Sequence, residues 1–316
     1  MKKNVMWRAI VVATVSMIAA CELMPLDDGG GGGVVGGNGL PSFQKGFVYI
    51  RSDNRDVYVA DDADVSEIAR LTTSGSNRHP SLSNDGRRVV FIHGSGANAA
   101  IQTVPVAGGA PSTVLTADST KSGFSRPVFS PDDETLAFTF ERGGASYVGI
   151  VNADGSGFEA FGNGAPSLFS PTFYPDGQNL LVASTTLQAT RLVKLNLATG
   201  AADVILSTLG NDALGIASRV VLSPSGTHAA FDGEVASGVS RIFAANLGAQ
   251  TVTQLTDYTG DPDARDSFPS WNGSTEVTFS SDNGGADQVY GISPNAVRQQ
   301  GSLLLPSAVE AWYGPN

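Results

Sequence analysis

Cysteine is almost missing from this chain of 316 residues; Cys21 stands alone. No intrachain disulfide and no cysteine-ligated metal site can therefore be built. Histidine is nearly as scarce, with only His79, His93 and His228. A zinc site needs at least three converging protein ligands, and the sequence does not supply them. Neither a His-Glu-x-x-His motif nor a Gly-x-Ser-x-Gly nucleophile elbow occurs. Basic side chains are also short, 19 against 30 acidic ones, for a formal net charge of −11. Such a surface repels phosphate backbones, which argues against nucleic acid as a partner. Long apolar runs are absent too. The stretch from Ala9 to Ala20, about 12 residues, would span only about 18 Å as a helix, too little for a bilayer core.

What is abundant is glycine, 38 residues, and a phrase that keeps returning. Its fullest copy is Ser125-Arg126-Pro127-Val128-Phe129-Ser130-Pro131-Asp132-Asp133. Degraded copies begin near Arg78, Ser170, Arg219 and Phe268, and a last echo, Trp312-Tyr313-Gly314-Pro315-Asn316, closes the chain. The large apolar residue of each copy falls at Leu82, Phe129, Phe173, Leu222, Trp271 and Trp312, spaced 41 to 49 residues apart. A period in the forties with strand-like contents is the mark of propeller blades.

Between copies the chain reads as short β-branched and aromatic runs separated by turn clusters, four strands to a unit, A to D. The Pro-Asp-Gly phrase joins A to B. Proline presets φ at the second turn position, Asp or Asn suits the third, and Gly the fourth. Its recurrence is a hairpin requirement and carries no chemistry. The first unit, from Phe43, starts at strand B, while the chain ends in a lone strand A, Val309 to Tyr313. The expected fold is therefore all-β: a six-bladed β-propeller of four-stranded antiparallel blades, with the C-terminal strand completing the first blade and closing the ring. Closure removes free sheet edges. Trp271 and Trp312 are expected in the core, Trp312 in that of the first blade.

Pro-x-Phe-Ser-Pro-Asp-Gly, strands such as Leu136-Ala137-Phe138, the loops Ser52-Asp53-Asn54-Arg55 and Ser281-Asp282-Asn283-Gly284, and closing Leu71-Thr72 or Leu255-Thr256 resemble the TolB-type β-propeller repeat. The likeness covers roughly Phe43 to Asn316. It implies a propeller without the extra α/β domain that TolB carries ahead of its own, so contacts made through that domain do not carry over. By the same analogy it implies a partner in the envelope, an envelope protein or a peptidoglycan-associated lipoprotein.

The first forty residues read differently. Lys2, Lys3 and Arg8 followed by a short apolar run give the layout of a secretory signal. The run ends in Ile18-Ala19-Ala20-Cys21, which resembles the bacterial lipobox, where cleavage precedes a cysteine whose sulfur is lipidated. The expected organisation is a lipoprotein signal peptide over 1–20, a lipidated Cys21 with a Gly-rich tether over 21–42, and a propeller over 43–316. By resemblance to such lipoproteins, Glu22 leans the expected destination towards the outer membrane, facing the periplasm or cell surface. The glycine run follows no strand and lacks a lysine, so it is no phosphate-cradling loop.

Two groups of residues are candidates for binding. His79, Arg126 and Arg219 sit just ahead of the strand-A proline slot, and pseudo-symmetry points them at one channel mouth. There they would form a cationic ring for a carboxylate, phosphate or acidic peptide end. Asp257, Asp261, Asp263 and Asp266 crowd one loop and form a candidate calcium site, although the loop does not match the twelve-residue calcium motif and Arg265 can neutralise it. The expected function is a non-catalytic protein-binding or scaffolding module at the envelope. The alternatives are a surface hydrolase or lyase acting on a polysaccharide or peptide, and a small-anion sensor.

Overall fold

The computed structural model describes residues 37–63, 67–187, 189–210, 212–258 and 260–315. The expected signal peptide, Cys21 and most of the tether lie outside the described residues.

Among the described residues, 24 strands form six four-stranded antiparallel sheets, each running A to D in chain order in five blades. In the first blade the order is Ala308–Gly314, Gly46–Arg51, Val57–Asp61 and Ile68–Arg70, so the last strand of the chain supplies strand A. Val48 pairs with Trp312 and Phe47 with Tyr313 across the closure. The five other inner strands are Asn77–Leu82, Ser122–Phe129, Ser167–Phe173, Gly215–Leu222 and Asp266–Asn272. The expected six-bladed ring, closed by its C-terminal strand, is the fold observed.

The core is not one mass but six, one at each junction between neighbouring blades. Alternation along a strand sends successive side chains to opposite faces. Val89 and Phe91 therefore join Val48, Ile50 and Val59 in the seam with blade 1. Val90 and Ile92 face the other way and join Phe138 and Phe140 of blade 3. Both faces are covered, which is why such strands read as continuous apolar runs. Trp271 is buried in the seam of blades 5 and 6, as expected. Trp312 differs: it is only partly buried and touches both the blade 1–2 seam and the blade 3–4 seam. It thus lies across the axis, not within one blade.

The A-to-B turn explains its own sequence. The Ser83 hydroxyl accepts the Arg88 N–H (2.9 Å) and donates to Asp85 (2.7 Å). Ser130 does the same with Thr135 (2.9 Å) and Asp132 (2.6 Å). Each turn closes on a residue with positive φ, Gly86 at 71° and Gly226 at 72°, which glycine adopts without strain. In blade 3 that place is taken by Asp133, at 61°.

Residues 37–42, the end of the expected tether, are docked between blades 1 and 2. Gly37 donates to the Leu71 carbonyl (3.2 Å) and Leu40 to the Val106 carbonyl (2.7 Å). A Cβ at Gly39 would lie 1.9 Å from the backbone nitrogen of Gly108, so here glycine serves close approach as well as flexibility.

Candidate functional site

Every inner strand carries a register shift at the same depth: between Arg78 and Ser81, Ser125 and Val128, Phe169 and Thr172, Ile216 and Val220, and Ser267 and Ser270. Proline occupies this slot in four blades (Pro80, Pro127, Pro171 and Pro269), where it cannot donate to a ladder and a bulge tolerates it. The residue just before the slot turns to positive φ at His79, Arg126, Ser170, Phe268 and Glu310. Bulges re-aim side chains and recur beside functional sites. Here they form a ring of six equivalent positions, His79, Arg126, Ser170, Arg219, Phe268 and Glu310, on the strands that line the axis.

The structure brings the three predicted basic residues together, and deeper than an exposed rim. Arg219 is 3% exposed, while His79 and Arg126 are half-buried. The Arg219 guanidinium lies over the Phe268 and Trp312 rings, 5.3 Å from each centroid. His79 tilts against the same Phe268 ring at 5.6 Å, and Arg126 lies 5.9 Å from that of Phe169. Two carboxylates share the neighbourhood. Asp232 accepts the N–H groups of Ser218 (2.9 Å), Arg219 (2.7 Å) and Phe268 (3.3 Å), and Glu310 accepts that of His79. Those carboxylates are taken up by the backbone groups that the bulges leave without ladder partners.

The guanidinium groups are left with little. Among the described residues, neither Arg126 nor Arg219 makes an ion pair within 4.0 Å. Arg219 donates to the Ala311 carbonyl (3.3 Å) and Arg126 to the Ser125 hydroxyl (3.3 Å). His79 Nδ1 and Arg126 Nε are buried with no hydrogen-bond partner. Burial lowers the Arg219 pKa to about 10, assisted by Arg126 and opposed by Glu310 and Asp232. Burial also drives His79 well below its ordinary value, followed by the charges of Arg126, Arg219, Arg78 and Arg55, so its imidazole is neutral at pH 7. The guanidinium donors there exceed the acceptors that the chain supplies to them, in a partly desolvated setting.

The other histidines go elsewhere. His93 Nδ1 contacts Asn77 (3.0 Å), and His228 Nδ1 contacts Thr227 (2.9 Å). The four carboxylates of the candidate calcium loop are divided among separate partners. Asp257 pairs with Arg298 (3.3 Å), and Asp261 accepts the Gly284 N–H (3.5 Å). Asp263 faces a side cavity. Asp266 is buried, accepts from Thr256 (2.5 Å) and Tyr258 (3.0 Å), and is raised to about 6 by burial. Among the described residues, no three His, Cys, Asp or Glu side chains gather to hold a metal ion. Glu310 and Asp232 were not singled out from sequence, although alignment of the last strand places Glu310 directly ahead of the proline-equivalent Ala311.

No family model and no curated protein sequence matches this chain. Its fold is shared by many solved structures. TolB from Acinetobacter baumannii superposes with a TM-score of 0.68 at 16% identity, over 86% of this chain and 66% of that one. A putative TolB from Agrobacterium tumefaciens gives 0.62 at 15% identity, over 86% and 99%. An oligogalacturonate lyase from Vibrio parahaemolyticus gives 0.54 at 17%, over 78% and 74%. The TolB structures and a lyase structure thus share one frame, and fold alone does not choose a function. By fold, this chain is a six-bladed β-propeller similar to those of the TolB structures.

Proposed function

We propose that this chain is a non-catalytic binding propeller of a bacterial envelope, tethered through a lipidated Cys21, that receives an acidic group of a protein partner at the axial ring. The observation that supports it is the pair Arg126 and Arg219, guanidinium groups without a carboxylate in ion-pair range, beside the unpartnered Nδ1 of His79. A partner carboxylate would supply the missing acceptors, and the neutral His79 can donate from one ring nitrogen without adding a buried charge. The partner class, an envelope protein or a peptidoglycan-associated lipoprotein, follows from the TolB-like fold by analogy.

The test is crosslinking in cells from photoreactive residues at Ser119 and Leu214, exposed positions in the connections that lead into the inner strands of blades 3 and 5. One dominant envelope protein, lost when Arg126 or Arg219 is changed to Gln, is the expected result. An adduct indifferent to both changes would overturn the assignment of the ring, and the lack of any adduct would overturn protein binding. The purified chain incubated with acidic oligosaccharides and peptides separates the rivals. Turnover would establish a hydrolase or lyase, and binding of a free anion without turnover a sensor.

A further inference from the structure

The axial ring lies at the bottom of a shaft, and the shaft limits the shape of any acidic group that reaches it. His79, Phe268 and Glu310 stand two residues into their strands, Ser170 three, and Arg126 and Arg219 four. At about 3.3 Å per residue, the ring is roughly 7–13 Å below the points where the chain enters those strands. Burial agrees, with Arg219, Glu310 and Ser170 all but covered. An aspartate or glutamate on a flat partner surface is too short to reach that depth. Below the ring, Trp312 blocks the axis. Its indole lies against the Arg219 guanidinium at 5.3 Å and packs on both the blade 1–2 and the blade 3–4 seams. From the far mouth the same side chain lines a cavity of about 70 Å³ with Leu82, Phe129 and Pro315.

A peptide entering over the ring therefore cannot pass through; it ends there or doubles back. Doubling back brings in two backbones, about 4.8 Å apart even when paired, with side chains on both. Ending brings in one backbone and, at its tip, a carboxylate. The charges suit that tip. The guanidinium groups of Arg126, Arg219, Arg78 and Arg55 surround His79. Against them stand only Glu310, already paired with Arg55 (2.7 Å), and Asp232, taken up by backbone N–H groups. The Nδ1 of His79 and the Nε of Arg126 are buried without a partner. A carboxylate offers two oxygens with about four acceptor sites, enough to accept from both and still meet a second guanidinium.

We propose, resting on the reading of the ring as an acid-binding site, that what it receives is the C-terminal carboxylate of a partner protein's extended tail, inserted end-on towards Trp312. The α-carboxylate accepts from Arg126 Nε and from His79, whose neutral ring carries its one proton on Nδ1. Arg219 stays over Trp312 and supplies the charge beneath. Backbone capture of this kind selects a chain end over an acidic side chain, because only the end has no further residue to accommodate.

The experiment is calorimetric titration of the full chain with four probes. They are an acetylated glycine–alanine hexapeptide with a free C-terminus, the same peptide amidated, the amidated peptide with one internal glutamate, and acetate. The free acid is expected to bind at least tenfold tighter than each of the others, a ranking that needs no variant. It should also shift tryptophan emission, and the shift should vanish in Trp312→Phe. Arg126→Gln, at a half-buried position, should erase the preference for the free acid while leaving the thermal melt unchanged. Internal glutamate or acetate binding as tightly as the free acid would overturn the chain-end proposal and leave the ring as an acid-binding site. Amide binding as tight as the acid, binding indifferent to Arg126→Gln, or no binding of any probe would overturn both.

Discussion

The carboxylate of Glu310, on the closing strand of blade 1, accepts the backbone N–H of His79, on the inner strand of blade 2, across 231 positions of sequence. Its other oxygen pairs with Arg55 at 2.7 Å. Glu310 is 6% exposed, so it closes the ring electrostatically as well as through the strand ladder. Glu310→Ala removes the acceptor of a buried N–H and the partner of Arg55, and should cost about 2–4 kcal/mol. Glu310→Gln keeps an acceptor oxygen and should cost about half as much. Urea denaturation of the three proteins checks the order; equal midpoints would show that the contact is idle.

His79 makes stability depend on pH. Its pKa is depressed in the folded state, so between the ordinary value near 6.5 and the folded value the unfolded chain binds more protons. Stability from this residue is complete above 6.5 and is lost as pH falls below it. Asp266 acts in the opposite sense. Its raised value, about 6, means that the folded chain binds the extra proton between about 4 and 6, so stability from Asp266 rises on acidification. Comparing the unaltered chain with His79→Phe cancels Asp266. Between pH 7 and pH 5 the unaltered chain should lose stability relative to the variant. Parallel loss in both would remove His79 from the account.

Asp133 occupies the turn position that glycine holds elsewhere, at a φ of 61°. Its carboxylate reaches the turn of blade 2, accepting the Asn84 N–H (2.7 Å), the Asn84 side-chain amide (2.9 Å) and the Asp85 N–H (2.9 Å). Asp133→Gly relieves a left-handed conformation, a gain of about 0.5–1 kcal/mol. It also deletes three charge-assisted hydrogen bonds between blades, each worth about 1.5–3 kcal/mol. The bonds outweigh the strain, so Asp133→Gly should lower the thermal midpoint even though the sequence then matches the repeat better. A rise in the midpoint would reverse that ranking.

The same residue shows how much was legible. Repeat spacing and turn chemistry fix the blade count, the strand order and the closure, because these depend on local preferences that recur every forty-odd residues. The places of Arg126 and Arg219 were legible for the same reason: they hold equivalent positions beside the proline slot. Depth was not. Nothing in the sequence says that a bulge turns those side chains inward, Arg126 over Phe169 and Arg219 over Phe268 and Trp312, although the prolines at the slot are a signal that the ladder breaks there. Asp232 was illegible, since it matters through neighbours from other strands. The acidic loop shows that closeness in sequence is no measure of convergence, since Asp257 and Asp266 are drawn to different partners.

Ring closure itself is testable by removing residues 308–316. That deletion bares the edge of Gly46–Arg51, whose Phe47 and Val48 pair with Tyr313 and Trp312. An apolar strand edge recruits other chains. Deletion also opens the seam of blades 6 and 1, where Ala308, Ala311 and Tyr313 are buried against Leu305 and Val289. The shortened chain should associate or lose its cooperative melt, as read by size-exclusion chromatography with light scattering. A synthetic peptide of residues 307–316 should restore the monomer by adding the missing strand in trans, because ladder bonds and alternate side-chain pockets both await it. A shortened chain that stays monomeric and melts as before would mean that the five internal blade seams, without the closing strand, suffice to hold the ring.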